Sequence, residues 1–218
     1  MIRSASALLA ALTLSSAAAH AATTTTLDFD PNDACDPNTC ANNLLISQDY
    51  GDSAEVDVIY DSSLGLDGLS PLAYYSSGYS DLDGVAWGTS GSSVATEIFL
   101  SPIVTGVGVR LLGFDMGAFT SEISFPLAVL EGDGTALFED ATTTVQSSTA
   151  SSFAPTTPGA WESATGIRIQ WGPTVNVAID NIEFETYDLS STPVIPLPAA
   201  GWLLLAGLGG LALLRRRA

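Results

Sequence analysis

Between Ala22 and Thr192 hydrophobic positions recur at every second residue in short runs, and no stretch keeps the 3.6-residue period of a long amphipathic helix. Clusters of Gly, Pro, Asn, Asp and Ser separate the runs, as turns separate strands. In AEVDVIY (54–60), Val56, Val58 and Tyr60 fall on one face, with Glu55 and Asp57 on the other. VATEIFL (94–100) runs up to Pro102, and VGVRLL (107–112) sets Val107, Val109 and Leu111 against Gly108, Arg110 and Leu112. In PLAVLEGDGTALFED two apolar runs flank Gly132-Asp133-Gly134, residues that accept positive φ, so a hairpin is expected there. GIRIQW (166–171) and TVNVAIDNIEFETY (174–187) read as a further pair joined through Gly172-Pro173. With TTTTLDF, NLLISQ and PLAYYSS as weaker runs, roughly nine or ten strands are expected at spacings that suit an antiparallel β-sandwich. A body of about 170 residues is long enough to bury a two-sheet core.

One alternation slips. Val175, Val177 and Ile179 share a parity that Ile182 and Phe184 do not, which predicts a β-bulge at Asp180-Asn181. Such a bulge is either an ordinary irregularity at a sheet rim or a device that re-aims Asp180 or Asn181 toward a site.

Charge narrows the chemistry. The chain carries 24 acidic and 6 basic residues, and every acidic one lies between Asp28 and Asp188. Within that stretch the only cations are Arg110 and Arg168, and the chain has no Lys. A surface so negative repels polyanions, so nucleic acid is excluded as a partner. The single histidine, His20, falls in an N-terminal segment that reads as removable, which takes away imidazole acid–base work and most zinc sites.

Both ends read as addresses. Met1-Ile2-Arg3 followed by SASALLAALTLSSAAAHAA has the cationic start, apolar run and small-residue finish of a signal peptide (1–21), with cleavage after Ala21. An uncleaved anchor is the alternative. At the other end (193–218) a Pro-containing hinge leads into 16 uncharged residues, 199–214, and then Arg215-Arg216-Arg217. As a helix this stretch is about 24 Å long, a short transmembrane span extended by Trp202 and the Arg cluster. The positive-inside rule places the Arg cluster in the cytoplasm and the body (22–192) outside.

The run Ile195-Pro196-Leu197-Pro198-Ala199, followed by an apolar stretch and terminal arginines, resembles the VPLPA-type sorting signal, one of the PEP-CTERM-like signals of Gram-negative bacteria. Ile195 stands where that motif has Val. The resemblance covers about the last 25 residues and implies a route. An exosortase, a membrane-embedded protease or transpeptidase, is expected to act near Pro196, Leu197, Pro198 and Ala199. The protein would then pass from the inner membrane to the cell surface or extracellular matrix. A plain tail anchor is the alternative. Pro196 and Pro198 break helix before the span, which suits an extended, accessible cleavage segment. The stretch VAIDNIEFE is similar to the closing strand of jelly-roll sandwiches found in PEP-CTERM-bearing and carbohydrate-binding modules, which implies a jelly-roll-like ectodomain.

Four candidate groups remain. Cys35 and Cys40, the only cysteines, suit a disulfide in an oxidising compartment rather than a redox pair, whose usual spacing is Cys-x-x-Cys. Asp28, Asp30 and Asn32 stand at the 1, 3, 5 spacing of calcium loops, although Asp33 and Thr39 replace the Gly and Glu of an EF-hand. If the N-terminal segment is tied to the last strand, Asp28 or Asp30 comes near Asp180 and the three form a Ca²⁺ site; a solvated acidic loop is the alternative. Asp81 and Asp83, ending in Gly84, form a second such loop.

Sugars bind aromatic faces, and Trp161, Trp87 and Tyr79 are the candidates, with Trp161 in a loop-like context expected to be exposed. Trp171, in phase with Ile167 and Ile169, reads as core. Serine hydrolysis lacks a His or Lys base in the body, and GxSxG and P-loop motifs are absent. Glycoside hydrolysis or a lyase-like reaction needs only a carboxylate pair and survives as the enzymatic alternative. The sequence thus points to a non-catalytic surface module, glycan-binding or structural, with exopolysaccharide as its partner.

Overall fold

The 132–134 turn closes as the sequence predicts. Glu131 N–H donates to Thr135 O (2.7 Å), Asp133 Oδ1 accepts from Thr135 N–H (2.9 Å), and Gly134 takes a φ of 91° that a side chain would resist. The computed structural model describes residues 23–35, 40–61, 72–89, 95–173 and 175–190. The expected signal peptide and sorting segment lie outside these residues. Among the described residues no helix is long and apolar enough to cross a membrane.

The described residues form twelve strands: β1 (Thr24–Leu27), β2 (Val56–Asp61), β3 (Ala73–Ser77), β4 (Asp83–Trp87), β5 (Thr96–Pro102), β6 (Val107–Ala118), β7 (Ile123–Glu131), β8 (Ala136–Val145), β9 (Ser151–Phe153), β10 (Glu162–Ser163), β11 (Ile167–Trp171) and β12 (Val177–Asp188). They make two antiparallel sheets. One runs β10-β6-β12-β4-β3, with β1 on β12 and β9 on β6; the other runs β2-β5-β11-β7-β8. Inward residues of both, among them Tyr60, Ile98, Leu111, Leu127, Trp171 and Phe184, fill one core, so the architecture is a β-sandwich. Each such side chain contributes about 1.5–3 kcal/mol by leaving water.

Three expectations change. GIRIQW and the last strand do not pair: β11 hydrogen-bonds β5 and β7, and β12 belongs to the opposite sheet. Gly172-Pro173 therefore carries the chain from one sheet to the other. NLLISQ supplies two isolated bridges, Cys35 to Ile46 and Leu45 to Ala73, instead of a strand. The acidic loop expected to end at Gly84 gives way to a strand earlier, since β4 begins at Asp83.

The bulge is present. β12 pairs β6 in simple register up to Asp180–Asp115 and then shifts before Glu183, with Asn181 at φ 51°. Ile182 and Phe184 are thereby turned into the core alongside Val177 and Ile179. Cys35 and Cys40 form a disulfide with Cα atoms 5.1 Å apart.

Candidate functional site

Strand β12 changes partner along its outer edge, and the bulge marks the change. Ala178 and Ile179 pair with Trp87 and Ala86 of β4, whereas Ile182 to Glu185 pair with Leu27 to Thr24 of β1. Asp180 and Asn181 fall in the gap. Asp28 leaves β1 at that gap and Asp83 begins β4 beside it, so three chain segments meet around the bulge. Gly84, at φ 87°, permits the approach; a Cβ there would stand 2.7 Å from Phe29 O.

The result is a cleft of about 330 Å³ lined by Asp28, Asp30, Asp81, Asp83, Asp180 and Asn181, with Pro31 and Leu82. The sequence placed Asp28, Asp30 and Asp180 together, and the structure does bring them to one cleft. It adds Asp81 and Asp83 from the second acidic loop.

Four of the five carboxylates differ in what holds them. Asp28 accepts from Tyr50 Oη (3.1 Å), Asp30 accepts from Asn32 N–H and Nδ2 (2.7 and 2.8 Å), and Asp81 accepts from Ala150 N–H (2.6 Å). Asp180 is 3% exposed, and its Oδ1 is buried with no hydrogen-bond partner. Burial, and then the negative charges of Asp115, Asp28 and Asp83, push its pKa up to about 8 against a backbone hydrogen bond that lowers it. The same field reaches Tyr74: burial first, then Asp83, Asp30 and Asp180, raises its phenol.

No cation relieves this cleft from within the described body. Arg110 is held by Glu162 and Glu185, and Arg168 bonds Glu97 (2.6 Å). Among the described residues no group of three or more Asp, Glu, His or Cys side chains is already gathered tightly enough to hold a metal ion.

The aromatic candidates occupy other places than expected. Trp161 is 5% exposed and stacks on Phe114 (6.0 Å) and tilts against Phe138 (5.9 Å), so it is a core ring and not an exposed one. The loop-like flanks mislead because Leu111 N–H bonds Trp161 O and β10 pairs with β6 immediately after it, which pins the ring inward. Tyr79 is 4% exposed, and its hydroxyl donates to Val175 O (2.9 Å). Trp87 is partly buried against the small cluster of Tyr79, Leu82, Val85 and Ala178, its indole N–H unpartnered. Trp161 and Tyr79 are thus core rings, and Trp87 alone of the three keeps part of its surface exposed. Trp171 is core, as expected.

A second concavity was not expected from the sequence. Tyr60, Ile98, Ile169, Val129 and Phe138 are cross-strand partners whose side chains face the core. Alternation therefore turns the next row to the face opposite the core: Asp61, Glu97, Gln170, Ala128 and Glu139, in register across all five strands, with Asp61 and Glu97 themselves buried. Glu97 is the pivot of this row. Its oxygens accept from Arg168 Nη1 (2.6 Å) and Gln170 Nε2 (2.5 Å), and the Arg168 guanidinium lies 3.9 Å from the Phe99 ring centre. At one end the row opens into a groove of about 330 Å³ lined by Pro126, Ala128, Ala141, Glu139, Asp140 and Gln170. Asp140 is held ionised there, its pKa lowered by Thr142 N–H and the Thr143 hydroxyl.

The sequence matches no protein-family model, and no curated protein matches it. Among solved structures the chain is similar to CBM27-1 of Caldicellulosiruptor saccharolyticus in complex with mannohexaose, with 12% identity over 74% of this chain and 96% of that one and a TM-score of 0.40. It is also similar to a family 29 carbohydrate binding module, with 14% identity over 82% of this chain and 99% of that one and a TM-score of 0.35.

Proposed function

We propose that this domain is a non-catalytic glycan-binding module displayed outside the cell, and that the groove on the outer face of the five-stranded sheet is where the polysaccharide lies. The groove's chemistry carries the reading. Pro126, Ala128 and Ala141 give an apolar strip that suits the C–H face of a pyranose, and Glu139, Asp140 and the Gln170 amide stand beside it for hydroxyls. The polar side chains are held before any ligand arrives, since Glu97 fixes Gln170 and the β8 threonines fix Asp140. Fixed polar groups lower the ordering cost of binding. With carboxylates and no cation lining it, the groove suits a neutral polyhydroxy chain over an acidic one.

Ala141 is exposed and faces no core neighbour, so Ala141→Trp fills the groove and leaves the fold intact. The expected result on immobilised neutral polysaccharides is tenfold or greater loss of retention by the full chain, with the melting temperature unchanged. Equal retention of Ala141→Trp and the native chain would move the ligand off this face.

The route to the outside is the second half of the reading. The Ala21 cleavage site and the Pro196-Leu197-Pro198-Ala199 segment support export followed by exosortase-type sorting to the surface or matrix. Mass spectrometry of the chain recovered from a sorting-competent cell is expected to show a start at Ala22 and an end within 195–199. A chain recovered whole at its C-terminus would leave a plain tail anchor.

A further inference from the structure

We propose that the cleft at the β12 bulge is a calcium site, with Asp180 as its buried anchor and Asp28, Asp30, Asp81 and Asp83 as the carboxylates that close on the ion. Two independent observations meet there. The first is composition: five carboxylates from three chain segments line one cavity with no Arg among them. The second is Asp180 itself, 3% exposed, lining that cavity, with a buried oxygen that nothing among the described residues hydrogen-bonds. A buried polar atom without a partner costs stability unless something occupies it. A hard cation that takes six to eight oxygens supplies the partner and cancels the mutual repulsion of the rest.

The fold explains why the anchor is placed here. Without the slip in alternation at Asp180-Asn181, β12 would keep one register and one outer neighbour. With it, β12 hands over from β4 to β1 and leaves room for an ion between them. Asp115, the cross-strand partner of Asp180, accepts from Ser152 Oγ and Asn181 Nδ2 and is not among the residues that line the cleft. Asp28, Asp81 and Asp83 are exposed and free to rotate inward, each engaged by one hydrogen bond at most. Closure by these rotations is required, since the side chains are not yet gathered around a common point. Calcium tolerates such irregular, flexible ligand sets, whereas magnesium demands near-octahedral geometry.

The test uses the full chain stripped with a chelator and titrated with CaCl₂, MgCl₂ or NaCl at matched ionic strength, read by calorimetry and by thermal melting. One calcium per chain is expected. A hundredfold excess over Kd is expected to raise the melting temperature by about 5–10 °C. Magnesium should bind at least tenfold more weakly. Asp180→Asn is expected to lose tenfold or more in calcium affinity. Asp83→Asn, an exposed change that leaves folding unaffected, is expected to lose affinity as well. No saturable calcium binding up to about 10 mM, an equal melting shift with NaCl, or undiminished binding by both variants would overturn the site. The inference stands apart from the glycan reading, because calcium binding is measured with no sugar present.

Discussion

Asp180→Asn, in chelator, is expected to stabilise the protein at pH 8 and to leave it unchanged near pH 4. The sign follows from proton counting. In the folded chain Asp180 keeps its proton up to about pH 8, whereas in the unfolded chain it loses it near the ordinary value of 3.8. Below the lower value both states are protonated, and the contribution is fully present. Between the two the folded state holds a proton that the unfolded state does not, so stability falls as pH rises, by about 1.4 kcal/mol per pH unit for one group. Across the window the native chain loses several kcal/mol that the Asn variant keeps. Urea titrations at pH 4, 6 and 8 measure it: the native and variant curves should converge at the acid end and diverge toward pH 8. Parallel curves would mean that Asp180 is ionised and already satisfied. Saturating calcium should narrow the gap at pH 8, because it stabilises the ionised carboxylate that the variant lacks.

Trp161→Ala is expected to cost about 3–5 kcal/mol, the range for emptying an aromatic site in a packed core. The ring is wedged between Phe114 and Phe138, which come from opposite sheets, so its removal opens a void between them. An exposed sugar-stacking ring would behave otherwise, with truncation changing stability by less than about 0.5 kcal/mol. A denaturant midpoint shifted by only that small amount would return Trp161 to the surface and undo the assignment.

Alternation gave the strands because both sheets bury one face and expose the other, and the bulge was legible for the same reason. Val177 and Ile179 against Ile182 and Phe184 can all reach the core only if a residue is inserted between them. That single slip also located the acidic cleft, since Asp180 sits at it and Asp28 follows a strand pairing the same segment. Asp81 and Asp83 were legible as a second acidic loop, but not as neighbours of Asp180, because β4 is short and begins with Asp-Gly, which reads as turn. Trp161 misled because Pro158, Gly159 and Ala160 describe the approach to the ring and not where β10 then pins it. The outer row Glu97-Gln170-Ala128-Glu139 was out of reach altogether. It exists only once four strands distant in sequence are set in register, and no local pattern in any one of them announces it.

Two features thus divide the domain: a groove on the five-stranded sheet whose side chains are fixed in advance, and an acidic cleft on the seven-stranded sheet that is incomplete without a counter-charge. The reading of the whole as a binding module rests on the first. A panel of immobilised neutral and acidic polysaccharides, incubated with the full chain in calcium and in chelator, tests it most directly when retention and released reducing ends are measured together. The account predicts retention on a neutral glycan with no reducing ends released. Released sugar, abolished by Asp180→Asn, would contradict it and make the cleft a hydrolase site built on a carboxylate pair.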